Sequence, residues 1–324
     1  MIRKLLKICG TFILLIFLIL VFVGYQNARA MMEFNVTGEN TPHFESMSAL
    51  EKLYLFAFGF QRPRPQNQSD PSALNIPYTD LMVDSDLNRK IHLWKIPGQA
   101  DKPVFVLFHG FGGNLEKMLP ACKILHHIGY PMYMAEFPGS GQSSGNQSTI
   151  GIRESGDVKK IYDYVKAKES GRKIILFGSS MGAAAISRAV ALESIKPDAL
   201  ILESPFDSLL ETMKNRFQRL KLPSFPLAHL ITGWVGVLCG TNAFNHAPAH
   251  YIRSATMPVL LMHGEEDVNV SSSQINLIYE NIPTPKKILH VFPGVGHKFF
   301  SQTNPELWKS ALTTFLRVYE LESP

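Results

Sequence analysis

Cysteine is scarce in this chain, with three in 324 residues. Cys9, Cys122 and Cys239 are scattered, which excludes a disulfide-stapled scaffold. Cys122 and Cys239 stand in apolar, helix-like surroundings, where buried free thiols are the ordinary outcome; in an exported domain they would also have the option of pairing. No Cys/His spacing fits zinc. His126 and His127 are adjacent, so on a helix they point about 100° apart and cannot chelate together. Nothing calls for a metal or a cofactor. Internal repeats are missing too. Acidic residues are absent from the first thirty positions, which carry Arg3, Lys4, Lys7 and Arg29. Outside that segment the formal charge of +5 shrinks to 28 basic residues against 27 acidic, a balance that offers nothing to nucleic acid.

What the chain does have is apolar material. Hydrophobic residues make up 45% and charged residues 18%, ample for one large globular domain with an N-terminal extra. That extra, 1–30, is a targeting or anchoring segment. Three basic residues precede an uncharged run from Ile8 to Val23, followed by Gln26-Asn27 and the small-x-small triplet Ala28-Arg29-Ala30. Two readings stand: an uncleaved signal anchor, or a signal peptide cut after Ala30. Both put the basic end in the cytoplasm and the domain on the other side. Residues 31–75 read as a connector with a short helix between Ser48 and Phe60 and a loop rich in proline and polar residues from Arg62 to Pro71.

From 76 onward strands and helices alternate. Tyr78 to Val83 and Lys90 to Lys95 read as a half-buried antiparallel pair. Val104–Phe108, Met132–Glu136, Ile174–Phe177, Ala199–Leu202, Val259–Met262 and Ile288–Phe292 read as further strands. Helices are expected over about 115–128, 152–168 and after Gly182. Such alternation means parallel strands joined by crossover helices, with ligands bound beyond the strands' carboxyl ends.

The loops at those ends carry the chemistry. The Ile174 strand turns through Gly178-Ser179-Ser180-Met181-Gly182 into an alanine-rich helix. This Gly-x-Ser-x-Gly reversal lifts the Ser180 hydroxyl above the sheet, next to the positive end of the following helix. The chain here resembles the α/β hydrolases, over about 103–318, in the branch of serine-aminopeptidase-like and monoacylglycerol-lipase-like enzymes. Glu136-Phe137-Pro138-Gly139-Ser140-Gly141 and Ser204-Pro205-Phe206-Asp207 support the likeness, although Glu136 stands where many relatives carry Asp. The resemblance implies an α/β-hydrolase fold: a mostly parallel central sheet, helices on both faces and a helical lid insertion, here about 206–252.

It also implies roles. Ser180 is the expected nucleophile. The loop after Phe108, His109-Gly110-Phe111-Gly112-Gly113, would give one oxyanion-hole N–H from Phe111, and Met181 the second. An acid and then a histidine must follow in chain order. His263-Gly264-Glu265-Glu266-Asp267 and Pro293-Gly294-Val295-Gly296-His297 supply them, with Glu265 and Glu266 as rivals to Asp267. His297 would be general base and then acid, and Asp267 its orienting partner.

The expected function is hydrolysis of carboxylic esters, lipid or other acyl esters, through an acyl-enzyme. A serine peptidase of aminopeptidase type and a non-catalytic binding protein of the same fold are the alternatives. Apolar residues of the lid, among them Met213, Phe217, Leu227 and Ile231, would either line an acyl-chain pocket or form the lid's own core. Lys214, Arg216, Arg219 and Lys221 would either meet anionic lipid or form a solvated helix face. The membrane is the expected partner through the N-terminal helix.

Overall fold

A computed structural model describes residues 2–36, 47–86 and 88–321. Part of the expected connector, 37–46, and the end of the expected domain, 322–324, fall outside these. The described chain opens with α1 (Ile2–Met32) and α2 (Ala49–Phe58), then β1 (Thr79–Asp84), β2 (Lys90–Ile96) and β3 (Val104–Phe108). Next come α3 (Leu119–His127), β4 (Met132–Glu136), α4 (Glu154–Lys168), β5 (Ile174–Ser179), α5 (Met181–Leu192) and β6 (Ala199–Glu203). Then follow α6 (Leu209–Arg219), α7 (Leu227–Cys239), α8 (Pro248–Tyr251), β7 (Val259–Gly264), α9 (Ser272–Asn281), β8 (Lys287–Phe292), α10 (Phe300–Thr303) and α11 (Pro305–Val318).

The chain divides into two compact units. The larger comprises Arg64–Ser208 and Ala247–Pro324. Its eight strands form one sheet in the order β1-β2-β4-β3-β5-β6-β7-β8. β1 and β2 are antiparallel to each other, β2 is antiparallel to β4, and all remaining pairs are parallel. This is the α/β-hydrolase fold. The inner strands read as unbroken apolar runs because both faces are covered. Side chains alternate between two cores: Val104, Val106 and Phe108 pack with α4, α5 and α9, while Phe105 and Leu107 pack with α3 and α11. From β3 the chain goes outward to β4 and then returns to β5 on β3's other side. That reversal opens a crevice at the carboxyl ends of β3 and β5.

Arg64 and Asn67, in the stretch expected to be connector, belong to this unit. The Arg64 guanidinium donates to the carbonyls of Ser140, Gly141, Ser143 and Gly145. Asn67 donates to the Glu136 carboxylate at 2.8 Å. Glu136 is fully buried and also accepts from the Gln142 amide at 2.8 Å and meets His92 Nδ1 at 3.0 Å. Burial alone would raise the Glu136 pKa, but these partners hold it below the ordinary carboxylate range. Burial likewise works against a charged His92, and Glu136 with Asp80 reverses the sign and raises its pKa. The glycine-rich loop after β4 is therefore fastened around a buried charge.

The smaller unit comprises Met1–Pro63 and Leu209–His246. The exposed face of α1 runs through its apolar first half, whereas Val23, Gly24, Ala28 and Ala30 are buried. Gly24 lies flush on α7: a Cβ there would stand 2.8 Å from that of Leu230. Tyr25 meets Trp234 edge-on at 5.2 Å, and the Trp234 indole donates to the Val21 carbonyl at 3.1 Å. Asn27 donates to the Phe56 carbonyl of α2 at 2.9 Å. α1 is long and apolar enough to cross a membrane. Cys9, Cys122 and Cys239 are all free thiols.

Glycine is required where β5 meets α5. A Cβ on Gly182 would sit 2.4 Å from the Phe108 carbonyl oxygen, whereas one on Gly156, within α4, meets nothing within 4 Å. Gly182→Ala should therefore cost more than about 2 kcal/mol, while Gly156→Ala should gain roughly 0.5–1 kcal/mol from helix propensity. Thermal melts of the two variants beside the wild type check this; equal melting temperatures would refute it.

Candidate active site

Ser180 sits between β5 and α5 with φ 51° and ψ −111°, a strained conformation for a residue bearing a Cβ. Two contacts support it. The Ser180 amide donates to the Glu203 carbonyl at 2.7 Å, and Gly110 lies so close that a Cβ would stand 3.3 Å from that of Ser180. The loop after β3 is thus pressed against the reversal after β5.

The Ser180 hydroxyl is 3.0 Å from His297 Nε2, and His297 Nδ1 is 2.7 Å from Asp267 Oδ2. Asp267 is buried in the turn after β7, where its other oxygen accepts the amides of Asn269 at 2.8 Å and Val270 at 3.0 Å. Glu265 and Glu266 are exposed, and Glu265 accepts instead from the Gly294 amide at 3.0 Å. Of the three neighbouring carboxylates, Asp267 is the one that reaches His297. Burial pushes the Asp267 pKa up, but the His297 hydrogen bond and the two amides outweigh it, so the carboxyl stays below its ordinary range. An ionised Asp267 fixes the proton of the neutral imidazole on Nδ1 and leaves Nε2 free to accept one from Ser180.

A cavity of 190 Å³ opens beside this chain of bonds, walled by Gly110, Phe111, Gly112, Ser180, Ser204 and His297 among others. Phe111 lies in that wall, and Met181 begins α5 directly after Ser180, with its side chain buried. The loop carrying Phe111 is held by His109. Its Nδ1 is 2.8 Å from the Gly110 carbonyl, and its Nε2 accepts the Phe137 amide at 3.0 Å. Burial lowers the His109 pKa, which keeps the ring neutral and its tautomer fixed by those two partners. Among the described residues, no group of three or more His, Cys, Asp or Glu could hold a metal ion.

Sequence reasoning passed over Glu203. It ends β6 directly below the reversal, is fully buried, and accepts from the Trp308 indole at 2.6 Å. Its second oxygen has no partner. Burial pushes its pKa up to about 8, against the indole's weaker opposing effect. The rule that flags Asp267, a polar residue just past an apolar strand, applies equally to Glu203 after Ala199-Leu200-Ile201-Leu202.

The fold defines a class: the chain has the α/β-hydrolase fold. A family model for serine aminopeptidase, S33, matches residues 99–235. That match takes in Phe111, Ser180 and Met181 and stops short of Asp267 and His297. The lysophosphatidylserine lipase ABHD12 of Danio rerio is 27% identical over 236 residues, covering 68% of this chain and 59% of the lipase. The chain thus spans less than two thirds of that relative. The uncharacterized protein YqkD of Bacillus subtilis is 26% identical over 241 residues, 74% of this chain and 79% of its own. Among solved structures, the esterase Pf2001 of Pyrococcus furiosus superposes with a TM-score of 0.67 at 26% identity, covering 79% of this chain and 97% of the esterase.

The buried Glu203 has a measurable consequence. The folded state keeps a proton that the unfolded chain releases as pH rises from the ordinary 4.5 toward about 8. Stability therefore falls across that interval, since the folded form binds more protons there. Glu203→Gln retains an acceptor for Trp308 and removes this titration. Melting temperatures across the interval should fall for the wild type relative to the variant; parallel curves would exclude a protonated Glu203.

Proposed function

We propose that the protein hydrolyses carboxylic esters of lipids or other acyl compounds through an acyl-enzyme formed on Ser180. The observation that carries this reading is the hydrogen-bond chain from Ser180 through His297 to Asp267. His297 Nε2 takes the Ser180 proton as Oγ attacks the acyl carbon, and Asp267 stabilises the imidazolium that results. The tetrahedral oxyanion is held by the Phe111 and Met181 amides at the N-terminal end of α5. His297 returns the proton to the leaving alcohol, and a water activated by the same ring releases the acid.

The lipid and ester assignment draws on the names of the lysophosphatidylserine lipase and the archaeal esterase. The apolar α1 supports action at a membrane. Its helix continues unbroken through Ala28-Arg29-Ala30 to Met32, and Ala28 and Ala30 are buried in the smaller unit. This favours an uncleaved anchor, with the basic end cytoplasmic and the hydrolase domain on the opposite side. The name of the matching family model keeps a peptidase as the second reading.

Fluorophosphonate labelling of the purified protein tests the nucleophile. Wild type should label and Ser180→Ala should not; a wild type that never labels would mean a binding protein without catalysis. Asp267→Asn should lower kcat by about 10⁴ because the imidazole adopts the wrong tautomer. A screen divided among esters, thioesters and aminoacyl amides decides between esterase and peptidase. Within p-nitrophenyl esters, rates that hold or climb from acetate to octanoate support an acyl pocket, and a steady decline speaks against one.

A further inference from the structure

The wall of the catalytic cavity holds a hydroxyl that the hydrolysis described so far leaves idle. Ser204 follows β6 directly, is 4% exposed, and lines the 190 Å³ cavity together with Ser180 and His297. Its Oγ is buried and has no hydrogen-bond partner among the described residues. A hydroxyl that gives up water on folding and gains no partner in return destabilises the fold, so each one a protein keeps calls for a reason.

The backbone sharpens the point. Ser204 has φ 42°, in the left-handed region that a residue with a Cβ avoids, and its amide is fastened to the Met262 carbonyl at 2.9 Å. Glycine would adopt this conformation with less strain and would bury no hydroxyl. Strained residues of this kind gather where the position of a side chain matters to function. The neighbouring carboxyl gives no relief, because Glu203 turns to the opposite core and accepts from the Trp308 indole at 2.6 Å.

The sheet fixes where this hydroxyl stands. β5 and β6 pair with Ser179 level with Glu203, so Ser180 and Ser204 leave the sheet side by side. The bond from the Ser180 amide to the Glu203 carbonyl, 2.7 Å, ties the two turns together. β3, which carries the Phe111 loop, lies on one flank of β5, and β6, β7 and β8 lie on the other. Ser204 is therefore on the flank from which His297 approaches, across the nucleophile from Phe111. The oxyanion belongs to the Phe111 side, and the oxygen that exchanges a proton with His297 belongs to the Ser204 side.

The second half of the reaction has a use for a hydroxyl there. A water attacking the acyl-enzyme gives one hydrogen to His297 Nε2, and aiming its lone pair at the acyl carbon requires the other hydrogen to be held as well. A serine oxygen can accept that bond. Among the side chains lining the cavity, those with an atom able to accept are Ser179, Ser180, Ser204 and His297. At this stage Ser180 carries the acyl group and His297 is the base. Ser179 lies within β5, a residue below the reversal, which leaves Ser204 at the level of the acyl carbon.

We propose that Ser204 is a catalytic residue of deacylation: its Oγ accepts the second hydrogen of the hydrolytic water while His297 Nε2 takes the first. The water oxygen bonds to the acyl carbon, the bond from that carbon to Ser180 Oγ breaks, and the imidazolium returns its proton to Ser180. Ser204 keeps its own proton throughout. The assignment rests on the acyl-enzyme reading given above.

The test follows the full chain in detergent as it turns over p-nitrophenyl butyrate in aqueous methanol, where the acyl-enzyme partitions between butyric acid and methyl butyrate. Methanol has a single hydroxyl hydrogen, which His297 takes, so it has none to offer Ser204. Ser204→Ala should therefore slow hydrolysis about tenfold relative to methanolysis, the worth of one hydrogen bond, and raise the ratio of methyl butyrate to butyric acid by that factor. Ser204→Gly should shift the ratio equally while relaxing the backbone, so it decides the question even where Ser204→Ala fails to fold. Fluorophosphonate labelling, which consumes no water, should keep its wild-type rate in both variants. An unchanged product ratio in a variant that still labels would overturn the proposal and leave hydrolysis at Ser180 standing. Slowing of both products in parallel would do the same, since that is the mark of a merely structural serine. A wild type that neither labels nor releases butyric acid would remove the hydrolysis itself, and this assignment with it.

Discussion

Ser180 adopts its strained backbone because β5 and α5 approach each other too closely for a gentler turn. Gly182 touches the Phe108 carbonyl, and the Ser180 amide is taken by Glu203. The reversal is therefore over-determined by the strands on either side of β5. Everything at the site is arranged around the hydroxyl it presents: the loop after β3 presses on it, the loop after β8 brings His297 to it, and the turn after β7 orients that imidazole. Strain of about 1–3 kcal/mol at such a residue persists only when neighbours enforce it, and here the sheet itself is the enforcer.

Buried carboxylates with opposite fates surround this point. Asp267 remains ionised because two amides and an imidazole replace the water it lost. Glu136 does so through an amide, a carboxamide and His92. Glu203 has a single donor and one orphaned oxygen, and burial prevails. Count of donors, not depth, separates them, as expected when hydrogen bonds to the charged form compete with desolvation.

Much of this was legible in the chain. The inner strands are apolar runs of five or six residues ending in polar turns, and that pattern located the sheet and the loops after β3, β5, β7 and β8. The choice among Glu265, Glu266 and Asp267 was not legible by composition; it follows from a turn whose amides of Asn269 and Val270 capture one side chain. Arg64 was hidden for a similar reason. Its partners are four carbonyls more than seventy residues away, and nothing local in a run of proline and polar residues announces such a clamp. The apolar run of α1 was plain, but its packing on α7 depends on Gly24 meeting Leu230, which periodicity alone does not reveal.

That packing has a practical corollary for anyone wishing to handle the enzyme in water. Trimming away the first helix is the usual route to a soluble hydrolase. Here the same helix supplies the seat for Leu230 and Trp234 and an acceptor for the Trp234 indole. A shortened chain would bare the flank of α7, trading one greasy surface for another, and would tend to clump rather than dissolve. Detergent, or a helix cut back only to the turn before Phe22, respects the division the molecule itself makes between the exposed half of α1 and the half packed on α7.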